Sequence, residues 1–375
     1  MLSLKSTRQA LARLHHMASL DTGGVQLIEP LLQELRRVVN FDFGGLLYPG
    51  DDGELSAYAE GPLRTVVTDS FDPRILRSEH EVLVRSSHDF AGAVRYEHGP
   101  KLLRELVAVP KTEFHRSDFY NVVARPGDAM EYMKLVLRTP QGAGVGAIFL
   151  FREAASPWFT ADDVAVLARL ESHLARALQN GEQDAAGSEV HSQGVLITTP
   201  EGRPLWISPE AETLMPLAFG WRWRAGSELP PALQEMLRRL NTPASRTDLA
   251  TMEPPAMELR TAQGWFSLRA TCMAAAIGTR KAAALHITQR VTRGVRLLSA
   301  LRALDLPQRQ HETAWWLMRG LSEPQIAQRM GISINTAVYH RRQLYNRLGV
   351  MERGELMQAL TRQAPALPRI KRPAQ

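Results

Sequence analysis

Apolar residues recur at three- and four-residue spacing in VQLIEPLLQELRRVVN, residues 25–40. That spacing predicts a helix with one buried stripe. FDFGGLLYP (41–49) and ELSAYAEG (54–61) instead cluster apolar residues between turn signals and predict strands. MKLVLRTPQGAGVGAIFLFRE (133–153) joins two apolar runs through a glycine-rich turn and predicts a hairpin. PWFTADDVAVLARLESHLARALQN (157–180) predicts a helix started by Thr160, with Asp162 and Asp163 in its first turn and a stripe of Val164, Leu167, Leu170, Leu174 and Leu178. A small, polar break follows at 180–194, and no internal repeat is visible. GVLITTPEGRPLWISPEAETLM (194–215) predicts strand, turn, strand and a helix entry at Ser208 or Pro209. PALQEMLRRL is helical, and MELRTAQGWFSLRATCM and KAAALHITQ return to strands.

Near Arg290 the period changes to helical. VTRGVRLLSALRAL (291–304) places Val291, Val295, Leu298 and Leu301 on one face, either a connecting helix able to pair across a dimer or a core helix of the preceding domain. From Leu306 four helices are expected. Gly320 ends the first, Ser322 with Gln325 forms a capping box for the second, Pro324 sits in its first turn, and Gly331 stops it. Ser333 caps a third helix ended by Gly349, and Glu352 begins a fourth. Two helices joined by about three residues, the second carrying positive charge, make a helix-turn-helix.

Angular sorting of NTAVYHRRQLYNRLGV (335–350) separates two faces. With Ala337 at zero, Leu344 and Leu348 lie within about twenty degrees, and His340 is at the margin. Asn335, Tyr339, Arg342 and Asn346 lie opposite, within about sixty degrees of one another, flanked by Val338 and Gln343. Planar hydrogen-bonding groups suit base edges, and an exposed tyrosine beside arginine is poorly explained by solvation alone. Arg341, about forty degrees from the core seam, should turn outward to a phosphate or a neighbouring helix.

Charge sharpens this picture. Residues 291–375 hold 14 Lys+Arg and 5 Asp+Glu, a net of +9, whereas the preceding residues sum to −3. The asymmetry directs the C-terminal part toward a polyanion, either nucleic acid or an anionic membrane on charge alone. A hydrophobic fraction of 44% and charged fraction of 22% are those of a globular protein, and 375 residues suggest two or three domains. One cysteine, Cys272, favours a reducing compartment, so a cytoplasmic location is expected. No stretch approaches a membrane span and no signal-peptide h-region is visible; Lys5, Arg8 and Arg13 superficially suggest a transit peptide, but Leu4, Leu11 and Leu14 suit a docked helix.

Catalytic chemistry finds few residues to stand on. QGAGVGA (141–147) lacks the following helix that a nucleotide loop needs. His15-His16 have no ligand partners at metal spacing and read as surface histidines. No HExxH, GxSxG or Walker A motif occurs, and nothing resembles a receiver or kinase pocket. Neither an enzyme nor a cofactor or metal is expected. Trp206, Trp221, Trp223 and Trp265 would line a pocket or, more simply, fill a core.

Three resemblances follow. TEFHRSDFYNVV, GVGAIFLFRE and FTADDVAVLARLESHLARAL resemble a GAF-like sensory domain. The opening strand-turn-strand with its EGR turn resembles a PAS-like domain. Leu306, Arg309, Glu312, Gly320-Leu321-Ser322, Ile326-Ala327, Ile332-Ser333, Thr336, His340, Leu344, Arg347-Leu348, Val350 and Arg353 resemble the LuxR-type helix-turn-helix family. The resemblance implies a third helix in the major groove and a fourth that helps dimerisation; Val338, Tyr339 and Arg342 match groove contacts, with Thr336 and Arg347 as backbone contacts. Ala337 and Val338 stand where the family usually has valine and lysine, which removes one cationic contact and alters site preference. No acyl-homoserine-lactone pocket is matched.

The expected fold is multidomain: α+β (GAF-like, antiparallel sheet with helices, 1–182), α+β (PAS-like, 183–290), a connecting helix (291–304), an all-α four-helix helix-turn-helix domain (305–362) and a disordered basic tail (363–375). The candidate DNA-binding residues are Ser333, Asn335, Thr336, Val338, Tyr339, His340, Arg341, Arg342, Asn346 and Arg347. The function expected is a bacterial transcription regulator binding double-stranded DNA as a homodimer, with RNA polymerase and an unidentified small-molecule ligand as further candidate partners and no membrane partner. The competing expectation is a sensory protein-interaction scaffold with a vestigial DNA-binding domain.

Overall fold

A computed structural model of the chain describes residues 4–20, 23–51, 53–67, 69–84, 89–179, 188–223, 228–241, 254–274, 281–304 and 306–363. In chain order the elements begin α1 (Leu4–Ala18), α2 (Ile28–Leu35), β1 (Phe43–Pro49), β2 (Leu55–Ala59), α3 (Leu63–Val66), α4 (Pro73–Val82), α5 (Phe90–Tyr96), β3 (Lys101–Leu102), α6 (Leu103–Leu106) and α7 (Lys111–Phe114). They continue β4 (Glu131–Arg138), β5 (Gly144–Arg152), α8 (Ala161–Gln179), β6 (Ser188–Thr198), β7 (Pro204–Ile207), α9 (Pro209–Phe219), α10 (Pro231–Asn241), β8 (Ala256–Thr261), β9 (Gly264–Ala274) and β10 (Lys281–Thr292). α11 (Arg293–Ala303), α12 (Gln308–Met318), α13 (Glu323–Met330), α14 (Ile334–Leu348) and α15 (Arg353–Gln363) complete the order. The expected tail from residue 364 and the first part of the expected break, 180–187, lie outside the described residues. The second part of that break is not a linker, because β6 begins at Ser188 and runs as an extended strand beside β10.

Two antiparallel five-stranded sheets precede the helical C-terminal part, as the expected fold class requires. Their orders are β2-β1-β5-β4-β3 and β7-β6-β10-β9-β8, the same arrangement used twice. Sequence shows no repeat because the shared property is strand order, which many side-chain sets satisfy. Both sheets fall in one compact unit, formed by the described residues within 39–175 and 188–291.

In the first sheet the expected hairpin is β4 against β5, with Leu135 opposite Ile148 and Met133 opposite Leu150. Its glycine loop is the tight turn expected: Thr139 N–H donates to the Ala143 carbonyl at 2.8 Å, and β5 follows at once. β4 is buried on both faces. One face joins Phe43, Tyr132 and Phe151 to Ile75, Leu103, Phe114 and Phe119 from the covering helices. Within this interior the Lys134 ammonium meets the Glu97 carboxylate at 2.9 Å, both buried. Arg152, at the end of β5, spends its donors on the carbonyls of Asn40 (2.8 Å) and Pro157 (2.7 Å) and on Asp163 (3.2 Å). That guanidinium fixes the entry to α8, where Thr160 and Asp163 cap each other reciprocally.

The second sheet buries Leu196, Phe266, Leu268, Leu285 and Ile287 against α9 and α10, through Leu214, Met215, Leu233 and Leu237. Ser208 caps α9 by accepting from Ala211 N–H at 3.1 Å, with Pro209 in the first turn as expected. The tryptophans do not share one environment. Trp265 is buried under the Arg260 guanidinium, 4.2 Å from its ring centroid. Trp221 stacks on Phe71 at 4.9 Å and donates to the Leu55 carbonyl, and Trp206 on edge strand β7 is 67% exposed. Edge position explains the last case, since β7 ends the sheet order and all four of its residues are exposed.

The second compact unit comprises the described residues within 1–38, 176–187 and 292–375. Here α1 packs on α2 and α12, and α11 packs on α12 and α15. Leu298 and Leu301 are wholly buried, so the apolar seam of α11 is occupied within the chain rather than free to pair across a dimer. Glu34 of α2 is 0% exposed and is met by Arg13 (3.4 Å), Arg37 (3.4 Å) and Arg302 (3.0 Å). Arg13 also donates to the Leu306 carbonyl at 2.8 Å, alongside Gln9 at 3.2 Å. His16, expected at the surface, is buried, because His311, Trp315 and Trp316 of α12 surround it edge-on at 6.1–6.3 Å.

Breaking a buried charge cluster leaves its remaining members uncompensated, at about 3–5 kcal/mol. Glu34→Gln should therefore lower the protection of α12 amides in native-state hydrogen exchange by that amount; wild-type protection would exclude the carboxylate as the tie.

Candidate nucleic-acid interface

The four C-terminal helices begin and end where local chemistry dictates. Ser322 N–H donates to Gln325 Oε1 at 2.9 Å, and the reciprocal serine contact completes the capping box. Pro324 occupies the first turn, where its missing N–H leaves no ladder bond unmade. Gly331 and Gly349 end α13 and α14 in the left-handed conformation, at φ 62° and 64°. A side chain at either would strain that turn, so the three residues between the helices depend on Gly331. Ser333 caps α14, accepting from Thr336 N–H at 3.1 Å with the two hydroxyls 2.7 Å apart.

Packing fixes which face of α14 turns inward. Ala337 and Leu344 are buried, with Ile326 and Ala327 of α13 and Ala314, Trp315 and Leu317 of α12 in the same helical domain. Leu348 and His340 are half-buried, at the edge of the seam. The seam is wider than expected, because Tyr345 is also buried beside the Arg341 guanidinium, 5.5 Å from its ring centroid. Thr313 is buried too, its hydroxyl donating to the Arg309 carbonyl at 2.7 Å.

The opposite face is open. Asn335, Tyr339, Arg342 and Asn346 are exposed together, with Gln343 exposed and Val338 half-buried beside them. Ser333 and Arg347 are exposed and Thr336 half-buried, at the two ends of the helix. Arg341 stands apart: its Nε lies 3.2 Å from Glu323 Oε1 at the start of α13, the neighbouring-helix alternative in the sequence reading. Glu323 was not singled out from sequence; its signal was an acid at the first helical position, where the helix dipole favours one.

Electrostatics separates the two histidines of this domain. Burial holds His340 below the usual histidine value, aided by Arg309 and opposed by Glu312, so it presents a neutral ring at neutral pH. Glu312, itself buried, is held by Arg309 at 3.1 Å and Gln308 at 2.7 Å. His311 is pushed down to about 3, first by burial and then by His16, Arg13 and Arg302.

Residues 305–360 match the family described as GerE, bacterial regulatory proteins of the luxR family. These residues are a LuxR-family helix-turn-helix domain. Among solved structures, Escherichia coli SdiA is similar at 12% identity and a TM-score of 0.30, covering 96% of this chain and 98% of that one. Vibrio cholerae VqmA, described as a dimer among LuxR-type receptors, is similar at 15% identity and a TM-score of 0.17, covering 46% of this chain and 82% of that one. The phage VqmA–DPO complex is similar at 17% identity and a TM-score of 0.19, over 45% and 83%. No curated protein matches. No described helix is long and apolar enough to cross a membrane.

The lowered His311 has a consequence in acid. An unfolded histidine takes up a proton near 6.5, whereas the folded ring resists until about 3, so stability is lost as pH falls through that window. His311→Gln should flatten the decline of the melting temperature between about pH 7 and 5. A decline as steep as wild type would place the acid-sensitive group elsewhere.

Proposed function

We propose that the chain carrying this LuxR-family domain is a sequence-specific transcription regulator that lays α14 in the major groove of double-stranded DNA. The observation that carries this reading is the sorting of α14: Ala337 and Leu344 are spent on the core, while Asn335, Tyr339, Arg342 and Asn346 are exposed on one side. Arginine is suited to guanine O6 and N7, asparagine to adenine N6 and N7, and Val338 to a thymine methyl. Ser333, Thr336 and Arg347 lie where backbone phosphates would pass. His340, neutral and half-buried, serves as a hydrogen-bonding edge rather than a cation.

On this reading the protein acts as a homodimer on a two-fold symmetric site with half-sites roughly one helical turn apart. With the α11 seam buried inside the chain, the dimer contact is drawn from other surfaces. The part of the chain holding the two sheets receives a small-molecule or protein signal, and the buried Lys134–Glu97 pair between the first sheet and its helices, with Glu79 beside Lys134, supplies polar groups a ligand would meet there. The output passes to RNA polymerase at the promoter.

The test is binding of full-length protein to a duplex selected from a random pool, read by fluorescence anisotropy at stated salt. Arg342→Ala should cost about 1–3 kcal/mol and relax preference at one base position. Equal affinity and equal preference in mutant and wild type would remove α14 as the reading helix.

A further inference from the structure

We propose that Glu323 withholds Arg341 from DNA and so sets how strongly this domain binds duplexes of any sequence; the inference rests on the DNA-binding reading above. Arg341, Arg342 and Arg347 are the arginines of α14, which has no lysine. Arg342 and Arg347 are exposed, but Arg341 is committed elsewhere. Its Nε is 3.2 Å from Glu323 Oε1, and its guanidinium lies over Tyr345 one turn further along the same helix. Both side chains are about one third exposed, at 31% and 32%, with the contacting Arg341 Nε itself buried, so the pair lies at the edge of the domain with part of each group open to solvent.

This placement has two effects. A paired guanidinium has its charge cancelled locally and releases no counterion when the domain docks on a phosphate backbone. The same pair bridges the first residue of α13 to the middle of α14, and so links the two helices whose mutual angle defines the motif. Glu323 is well placed for the task, since a carboxylate at a helix start is favoured by the dipole and does not need Arg341 to stay there. Removing only its charge therefore leaves the capped start of α13, formed by Ser322 and Gln325, intact. Arg341 then keeps the Tyr345 ring as a neighbour and carries an uncancelled charge, adding one phosphate contact that carries no sequence information.

The expected outcome is specific. In full-length protein, Glu323→Gln should steepen the dependence of log affinity on log salt by about 0.9, using a random-sequence duplex as probe. Between about 50 and 200 mM salt that corresponds to roughly a 3- to 4-fold larger loss of affinity than in wild type. Glu323→Ser should behave alike, and circular dichroism should show both variants folded. Adding Arg341→Gln to Glu323→Gln should return the slope to the wild-type value. An unchanged slope in Glu323→Gln and Glu323→Ser, with salt-sensitive wild-type binding, overturns this inference alone; so does a steeper slope that persists in the double variant. No salt-sensitive binding by the wild-type protein overturns the DNA-binding reading and this inference with it.

Discussion

A carboxylate with no solvent cannot remain charged without cations, and Glu34 meets this requirement by gathering Arg13, Arg37 and Arg302. The gathering determines much of its compact unit. Arg13 lies on α1 and Arg302 on α11, so one carboxylate in α2 draws three helices to a point. Arg13 has a second donor to place, and it goes to the carbonyl of Leu306, just before α12. The first helix of the helix-turn-helix domain is thereby fixed to residues about three hundred positions away in the chain. Near these cations a protonated His311 would be repelled, which adds to the burial that lowers it, whereas His16 is lowered by burial alone, against the opposing pull of Glu312.

What sequence shows well is whatever closes within a few residues. The capping box at Ser322, the glycine stops at 331 and 349, the Ser208–Pro209 entry and the turn of the β4–β5 hairpin all involve contacts across five residues or fewer, and each stands where the pattern puts it. The inward face of α14 is equally legible, since angular position alone separates Ala337 and Leu344 from Asn335 and Arg342. Long-range pairs are different. Glu34 falls three residues after Leu31, inside an otherwise apolar stripe, which is a sign that an acid is buried; nothing local says that its partners are Arg13 and Arg302. His16 failed for the same reason, because the rings that bury it belong to α12.

The sheets illustrate a related limit. Alternation predicts strands but not their neighbours, and the shared order of the two sheets emerges only from pairing. Composition likewise locates only some of the tryptophans: Trp265 is buried as a core aromatic should be, Trp221 stacks on Phe71 and donates to the Leu55 carbonyl beside the other sheet, and Trp206 stays on an edge. Burial is decided by which element arrives next to a residue, so aromatic character alone favours a core without locating it.

The distribution of charge bears on how the proposed interface would discriminate. The basic excess belongs to residues 291–375 as a whole, yet parts of it are spent internally: Arg302 on Glu34, Arg309 on Glu312 and Arg341 on Glu323. Burial holds His340 below the ordinary histidine value, and Val338 on this helix is apolar. The face left open on α14 is therefore mostly uncharged, with asparagine, tyrosine and glutamine around Arg342. Non-specific affinity grows with every phosphate neutralised, whereas base discrimination grows with directional contacts to base edges. A domain that pairs off its own cations gives up the first and keeps the second. On the proposed function, selectivity arises as much from the arginines that do not reach DNA as from Arg342, which reads a base, and Arg347, which meets the backbone.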